Sequence, residues 1–306
     1  DTVCLNSLLN AVRKIIKNFK VPEEKVVPLL NLIISGGHPV FERKPPSMFT
    51  DKSTKMFSYL TEICDHYEDL KTEITPIAVA WFRDAPLFMR GTMMQLISYL
   101  VTEGAVKGDS EEAAILMQIL TRELNGQKPE TDEILLGNIL ALLKANKDLY
   151  DTKRLMVQVH QYWDAVKDTE DDQKLAWKAQ IASSILVLCS LGCDAEKELV
   201  EQALACYTSS DEFGNCEEMS EAIVKMCDDT ENKWNDLKPT IAKTITEVMI
   251  QPKEKLNEYA IPQNIFTELK RVLKLIIRAN SQVEREITKG FGKNRQLQNR
   301  FKALFK

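Results

Sequence analysis

Apolar side chains recur at helical spacing along almost the whole chain, and this periodicity limits the fold more than any other feature. Leu5, Leu8, Leu9, Val12, Ile15, Ile16 and Phe19 follow the i, i+3, i+4, i+7 template of an amphipathic helix. The same pattern predicts helices over 50–67, 74–102, 109–124, 131–146, 151–166, 171–191, 194–207, 216–227, 234–250, 262–278 and 282–305. Pro76 and Pro86 should divide the region 74–102 into two helices. Pro28 should bend a second segment that runs from Val21-Pro22 to Gly36-Gly37, unless it falls within the first turn of that helix. Start signals recur at Asp109-x-x-Glu112, at Thr131-x-Glu133 and at Ile261-Pro262. The longest loop candidate is His38–Met48, with Pro39, Pro45 and Pro46. No alternation of period two survives beyond four residues with turn signals on both sides. Gly and Pro number 11 each in 306 residues, well under average usage of roughly 12%. That is too few for the turns of a β-sandwich or the glycine-rich loops of most nucleotide-binding folds. The chain reads as all-α.

Helices this long, joined by short loops, suit antiparallel pairs. Leu8–Lys20 superimposes on Leu135–Lys147, with apolar residues coinciding at five places and Lys at two more. The offset of 127 residues is three units of about 42, inside the roughly 40–47-residue range of HEAT and armadillo repeats. In both copies a second apolar stripe follows, Val26-Val27-Pro28-Leu29-Leu30 and Leu155-Met156-Val157-Gln158-Val159. The predicted architecture is a HEAT-like α-solenoid of about seven antiparallel helix pairs. It occupies residues 1–306 as one continuous array, read as a piece of a longer chain. A compact helical bundle is the competing arrangement.

At these positions the chain resembles the importin-β-like karyopherins. Leu8–Gly36, with Asn-Ala-Val-Arg-Lys-Ile-Ile and then Val-Pro-Glu-Glu-Lys-Val-Val-Pro-Leu-Leu, is similar to a repeat from the C-terminal half of that family. Thr50–Leu60 resembles the next helix, and Leu237–Ile241 with Leu256–Leu273 resemble closing repeats. The proline-rich loop at 39–46 and the basic end depart from the pattern. The resemblance implies a cargo-binding C-terminal portion without the GTPase-recognising N-terminal repeats.

Seven cysteines are scattered without a Cys-x-x-Cys spacing, and Cys189 and Cys193, four apart, have no His nearer in sequence than His160. They read as reduced, buried thiols. With no leader pattern and no apolar run longer than Ile181–Leu191, the expected location is cytoplasmic and nuclear, without a membrane span. His38, His66 and His160 are far apart and outside any ligand or nucleophile motif, so neither a metal, a cofactor nor an enzymatic activity is expected.

The net charge of −5 conceals a division. Residues 164–235 hold 17 Asp/Glu against 6 Lys/Arg, whereas residues 251–306 hold 13 Lys/Arg against 5 Asp/Glu. Asp168, Glu170, Asp171 and Asp172 fall in a turn before a helix, where they also complement its positive end. Asp228 and Asp229 form a second acidic pair. Trp163, Trp177 and Trp234 lie close to these carboxylates in sequence, and such a pairing can hold Lys or Arg by charge and cation–π contact. Inter-helix packing is the competing role for the tryptophans. The expected partner is a basic protein segment, such as an import signal or a histone or ribosomal protein tail. A structural scaffold joining subunits through apolar outer or terminal surfaces is the alternative. The basic end, with Lys289, Lys293, Arg295, Arg300, Lys302 and Lys306, could cap the array, fold back on the acidic stretch or bind nucleic acid. The last is disfavoured, since no nucleic-acid-binding motif accompanies it.

Overall fold

The computed structural model describes residues 2–26, 28–29, 52–85, 87–169, 171–207, 216–229, 233–252, 256 and 261–305. Among these residues all regular structure is helical. The loop candidate 38–48 and the end of the second segment at Gly36-Gly37 lie outside them. The chain divides into two compact units, Asp1–Asn125 with Ala141–Leu149, and Gly126–Leu140 with Tyr150–Lys306.

The first unit contains α1 (Thr2–Asn18), α2 (Lys52–Cys64), α3 (Glu68–Asp84), α4 (Leu87–Thr102) and α5 (Glu111–Glu123). α1 packs on α2, α2 on α3 and α4, and α3 on α4 and α5. Phe57, Leu60, Ile63, Leu70, Ile74, Phe82, Leu96, Leu100, Leu116 and Leu120 form the core, each at most 1% exposed. Burying each such side chain contributes roughly 1.5–3 kcal/mol. Pro76 does not divide α3, which runs through it. Pro76 is exposed, as is Thr72, whose carbonyl loses its helical donor. The break comes at Ala85, which is extended because a residue before proline avoids the helical region. Ser110 caps α5 by accepting from the Ala113 N–H, one residue after the expected Asp109.

α6 (Pro129–Ala145) spans the division between the units. It starts two residues before Thr131, and the Asp132 carboxylate accepts from the Lys128 N–H at 2.8 Å.

The second unit continues with α7 (Thr152–Val166), α8 (Asp172–Ser190), α9 (Lys197–Tyr207), α10 (Cys216–Cys227), α11 (Lys238–Met249), α12 (Gln263–Ala279), α13 (Ser281–Gly290) and α14 (Arg295–Ala303). Its packing is a ladder of near neighbours. α8 touches α7, α9 and α10; α9 touches α11; α10 touches α12; and α11, α12 and α13 pack on one another. α8 is covered on most sides, as a helix that is apolar almost all round must be; Ile181, Ala182, Ile185, Leu186, Val187 and Leu188 show no exposure. Its buried serines are satisfied, Ser183 by donating to Glu218 at 2.8 Å and Ser184 by donating to the Gln180 carbonyl at 2.6 Å. A second buried link, Tyr207 to Ser220 at 2.7 Å, ties α9 to α10.

One expected helix, 282–305, is two. Gly292 takes φ +53°, a left-handed conformation that ends α13, and Asn294 then caps α14 by accepting from the Gln296 and Leu297 N–H groups. The short return folds α14 back. Phe301, 3% exposed, meets Phe291 and Phe305 edge-on at 5.5 and 5.1 Å, and Arg300 donates to the Ile250 carbonyl at 3.1 Å.

Candidate functional site: the charged surfaces of the second unit

The acidic turn joins α7 to α8. Asp151 caps α7 through the Lys153 and Arg154 N–H groups, which fixes where that helix begins and where it delivers Asp164 and Asp168. Asp168 and Asp171 are exposed. Glu170, and the side chain of Asp172, lie outside the described residues. Among the described carboxylates here, Asp164 and Asp171 have local cations. Asp164 accepts from Lys167 at 2.8 Å and lies 3.8 Å from His160, and the Lys167 hydrogen bond holds its carboxyl below the usual range. Asp171 lies 3.9 Å from Lys174. Asp168 makes no ion pair among the described residues.

The three tryptophans take packing positions. Trp163 is 3% exposed and its indole N–H donates to Gln202 at 2.7 Å. Trp177 is 2% exposed and stacks at a tilt on Tyr162, with ring centroids 5.8 Å apart. Gly126 permits this arrangement: its φ of +73° suits glycine, and a Cβ there would lie 2.4 Å from the Tyr162 ring. Trp234 is 7% exposed, and its ring faces the ammonium of its own neighbour Lys233 at 5.5 Å. That lysine is also held by Asp194 at 2.6 Å. Rings covered this way do not offer a face to an incoming cation.

A cavity of about 440 Å³ sits below the acidic turn, lined in part by Trp163, Asp168, Leu175, Gln202 and Cys206. Lys167 and Lys178 also line it, and the Lys178 ammonium donates to the Lys167 carbonyl. Two ammonium groups beside one carboxylate make this cavity a poor receptor for a cation; the acidic surface is the outer rim of the turn. Burial pushes the Cys206 thiol up, which keeps it in its unreactive protonated form. Cys227 is pushed up to about 12 for the same reason.

The second acidic pair is separate in character. Asp228 accepts from Arg271 of α12, which also donates to Glu268, and these two carboxylates raise the guanidinium pKa. Asp229 is half-buried. The charge of Asp228 is thus spent on holding α12 against the end of α10.

Two features went unread in the sequence. A groove of about 700 Å³ runs among α11, α13 and α14, with Ile250, Val283, Ile287, Phe291 and Leu297 as its apolar lining. It exists only because Gly292 and Asn294 turn α14 back. The other is the outer face of α12, where Lys270, Lys274 and Arg278 stand one turn apart; that spacing was available as a signal. No group of His, Cys, Asp and Glu that could hold a metal ion occurs among the described residues. No helix among them is long and apolar enough to cross a membrane.

The chain matches no protein-family model, no curated protein and no solved structure. None of these comparisons identifies a karyopherin.

Proposed function

We propose that this chain is a protein-binding helical-repeat module, of the HEAT-like kind, rather than a catalyst. The near-neighbour ladder from α7 to α13 carries the reading, because helices packed on partners one or two places along the chain are how repeat arrays build long binding surfaces. Its partner is a basic protein segment that lies across the rim of the α7–α8 turn. Asp168 and Asp171 are the contacts there, with Asp164 exchanging its local lysine for the partner's. Trp163 and Trp177, buried at that turn, and Trp234, buried beyond the far end of α8, make no contact with the partner. A role like that of the C-terminal part of a nuclear transport receptor, in cytoplasm and nucleus, agrees with this chemistry and with the sequence motifs.

A fluorescence-anisotropy titration of the full chain with a labelled Lys/Arg-rich import-signal peptide tests the reading. Saturable binding should weaken at least about 10-fold in Asp168→Asn/Asp171→Asn, and similarly when salt rises from about 50 to about 300 mM. Affinity indifferent to both would sink it.

The structural-scaffold alternative has an observation in its favour. Under the 127-residue offset, Leu9, Val12 and Ile16 of α1 match Leu136, Ile139 and Leu143 of α6, and all six are buried. Leu8 and Ile15, however, are 46% and 51% exposed, while their counterparts Leu135 and Leu142 are each 1% exposed. With Phe19, 68% exposed just beyond the end of α1, they leave an apolar stripe of the sort that joins subunits. Binding insensitive to salt, lost in Leu8→Lys/Ile15→Lys, would favour this reading over the first.

A further inference from the structure

The outer face of α12 carries cations that form no ion pair among the described residues. Ile265, Leu269, Val272, Leu273, Ile276 and Ile277 are buried, so a rotation of about 100° per residue turns Lys270, Arg271, Lys274 and Arg278 towards solvent. Arg271 is matched by Asp228 and Glu268. Lys270, Lys274 and Arg278 make no ion pair among the described residues. They stand at i, i+4 and i+8, about 6 Å apart along the helix, a spacing at which like charges repel and weaken the helix that bears them. Attraction to the negative helix end explains Arg278 in the last turn but not Lys270, more than two turns earlier.

At the C-terminal end of the row lies a cavity of about 320 Å³ lined by Lys274, Ile277, Arg278, Glu284 and Phe305. Leu275, 50% exposed, stands next to the row. Cations at helical pitch, with apolar surface at one end, complement one kind of ligand. We propose that this face docks an acidic amphipathic segment of a partner protein. Carboxylates one helical turn apart would meet Lys270, Lys274 and Arg278, and an apolar side chain would enter the cavity against Ile277 and Phe305. Glu284 in the cavity wall disfavours a phosphate backbone, which brings charge at every step, whereas a peptide can place a neutral side chain there. The surface is distinct from the acidic turn, so the two bindings stand or fall separately.

The test uses the full chain and a labelled helical peptide roughly four turns long, with Glu at i, i+4 and i+8 and a terminal Leu. Its Glu→Gln counterpart and a single-stranded DNA of similar length are the comparison probes. Anisotropy should show saturable binding of the Glu peptide, none of the Gln peptide, and weaker binding of the DNA. Lys270→Glu/Lys274→Glu/Arg278→Glu should abolish binding of the Glu peptide, and Phe305→Ala should reduce it several-fold while leaving the salt dependence in place. Should the charge-reversed chain lose its helical circular dichroism, Lys270→Ala/Lys274→Ala/Arg278→Ala replaces it, with a loss of at least about 10-fold expected. Failure of the Glu peptide to bind, or binding unaffected by the folded variant, overturns the proposal. DNA binding tighter than the peptide and lost in the same variant also overturns it, in favour of a nucleic-acid site.

Discussion

The acidic stretch and the basic end of the second unit have opposite charge balances in sequence, and the structure treats them differently. In the acidic stretch, Asp164, Asp171, Asp194 and Asp228 each have a cation within 4 Å. At the basic end, Arg271 is paired and Arg300 donates to a backbone carbonyl, but Lys270, Lys274 and Arg278 make no ion pair among the described residues. Among the described residues, ion pairing is therefore commoner in the acidic stretch than at the basic end. Net balance over a sequence window reports how much charge is present; which of it faces a partner depends on which residues the packing brings within ion-pair distance.

The tryptophans give the sharpest way to break this comparison. Trp177→Ala should cost about 3–5 kcal/mol, because it empties a site that is 2% exposed, and a denaturant midpoint would show it. A Trp177→Ala chain of unchanged stability would return the ring to the surface and to a cation-holding role. Gly126→Ala should also destabilise markedly, since it forces a Cβ against Tyr162 at a left-handed backbone position.

The thiols predict a pH dependence. Cys227 and Cys64 are pushed up by burial to about 12, so above pH 9 the unfolded chain releases these protons while the folded chain keeps them. Stability should then fall as pH rises from about 9 to about 12, by up to about 1.4 kcal/mol per pH unit for each thiol. Cys227→Ala, followed by denaturant titration across that range, should flatten the fall; a slope unchanged from the parent chain would contradict it. The smallest effect is expected at the paired acid. Asp228→Asn removes a half-exposed ion pair worth at most about 1 kcal/mol, and should leave import-signal peptide binding unchanged because Asp228 is already occupied by Arg271.

Much of the helical layout was legible because local signals suffice for it. The helix expected from residue 151 begins at Thr152 with Asp151 as its cap, and the one expected from Pro262 begins one residue later, at Gln263. The apolar stripe of α1 recurs as buried positions in α6. Pro76 misled because an exposed proline can be carried by a helix that tertiary packing holds. The reversal at Gly292–Asn294 was missed because an apolar periodicity continues across it, and only the glycine backbone and the Asn cap interrupt the helix. The candidate site was legible in its charges and not in its geometry. Proximity in sequence to Asp168 and Asp228 could not tell that Trp163 points at Gln202 and that Trp234 is covered.

The most direct measurement crosses two peptides with two variants. The basic import-signal peptide and the acidic Glu peptide are each titrated into the parent chain, Asp168→Asn/Asp171→Asn, and Lys270→Ala/Lys274→Ala/Arg278→Ala. Two independent surfaces require that the first variant lose the basic peptide alone and the second lose the acidic peptide alone, each by at least about 10-fold. Loss of both peptides in either variant, or of neither in both, would contradict the account.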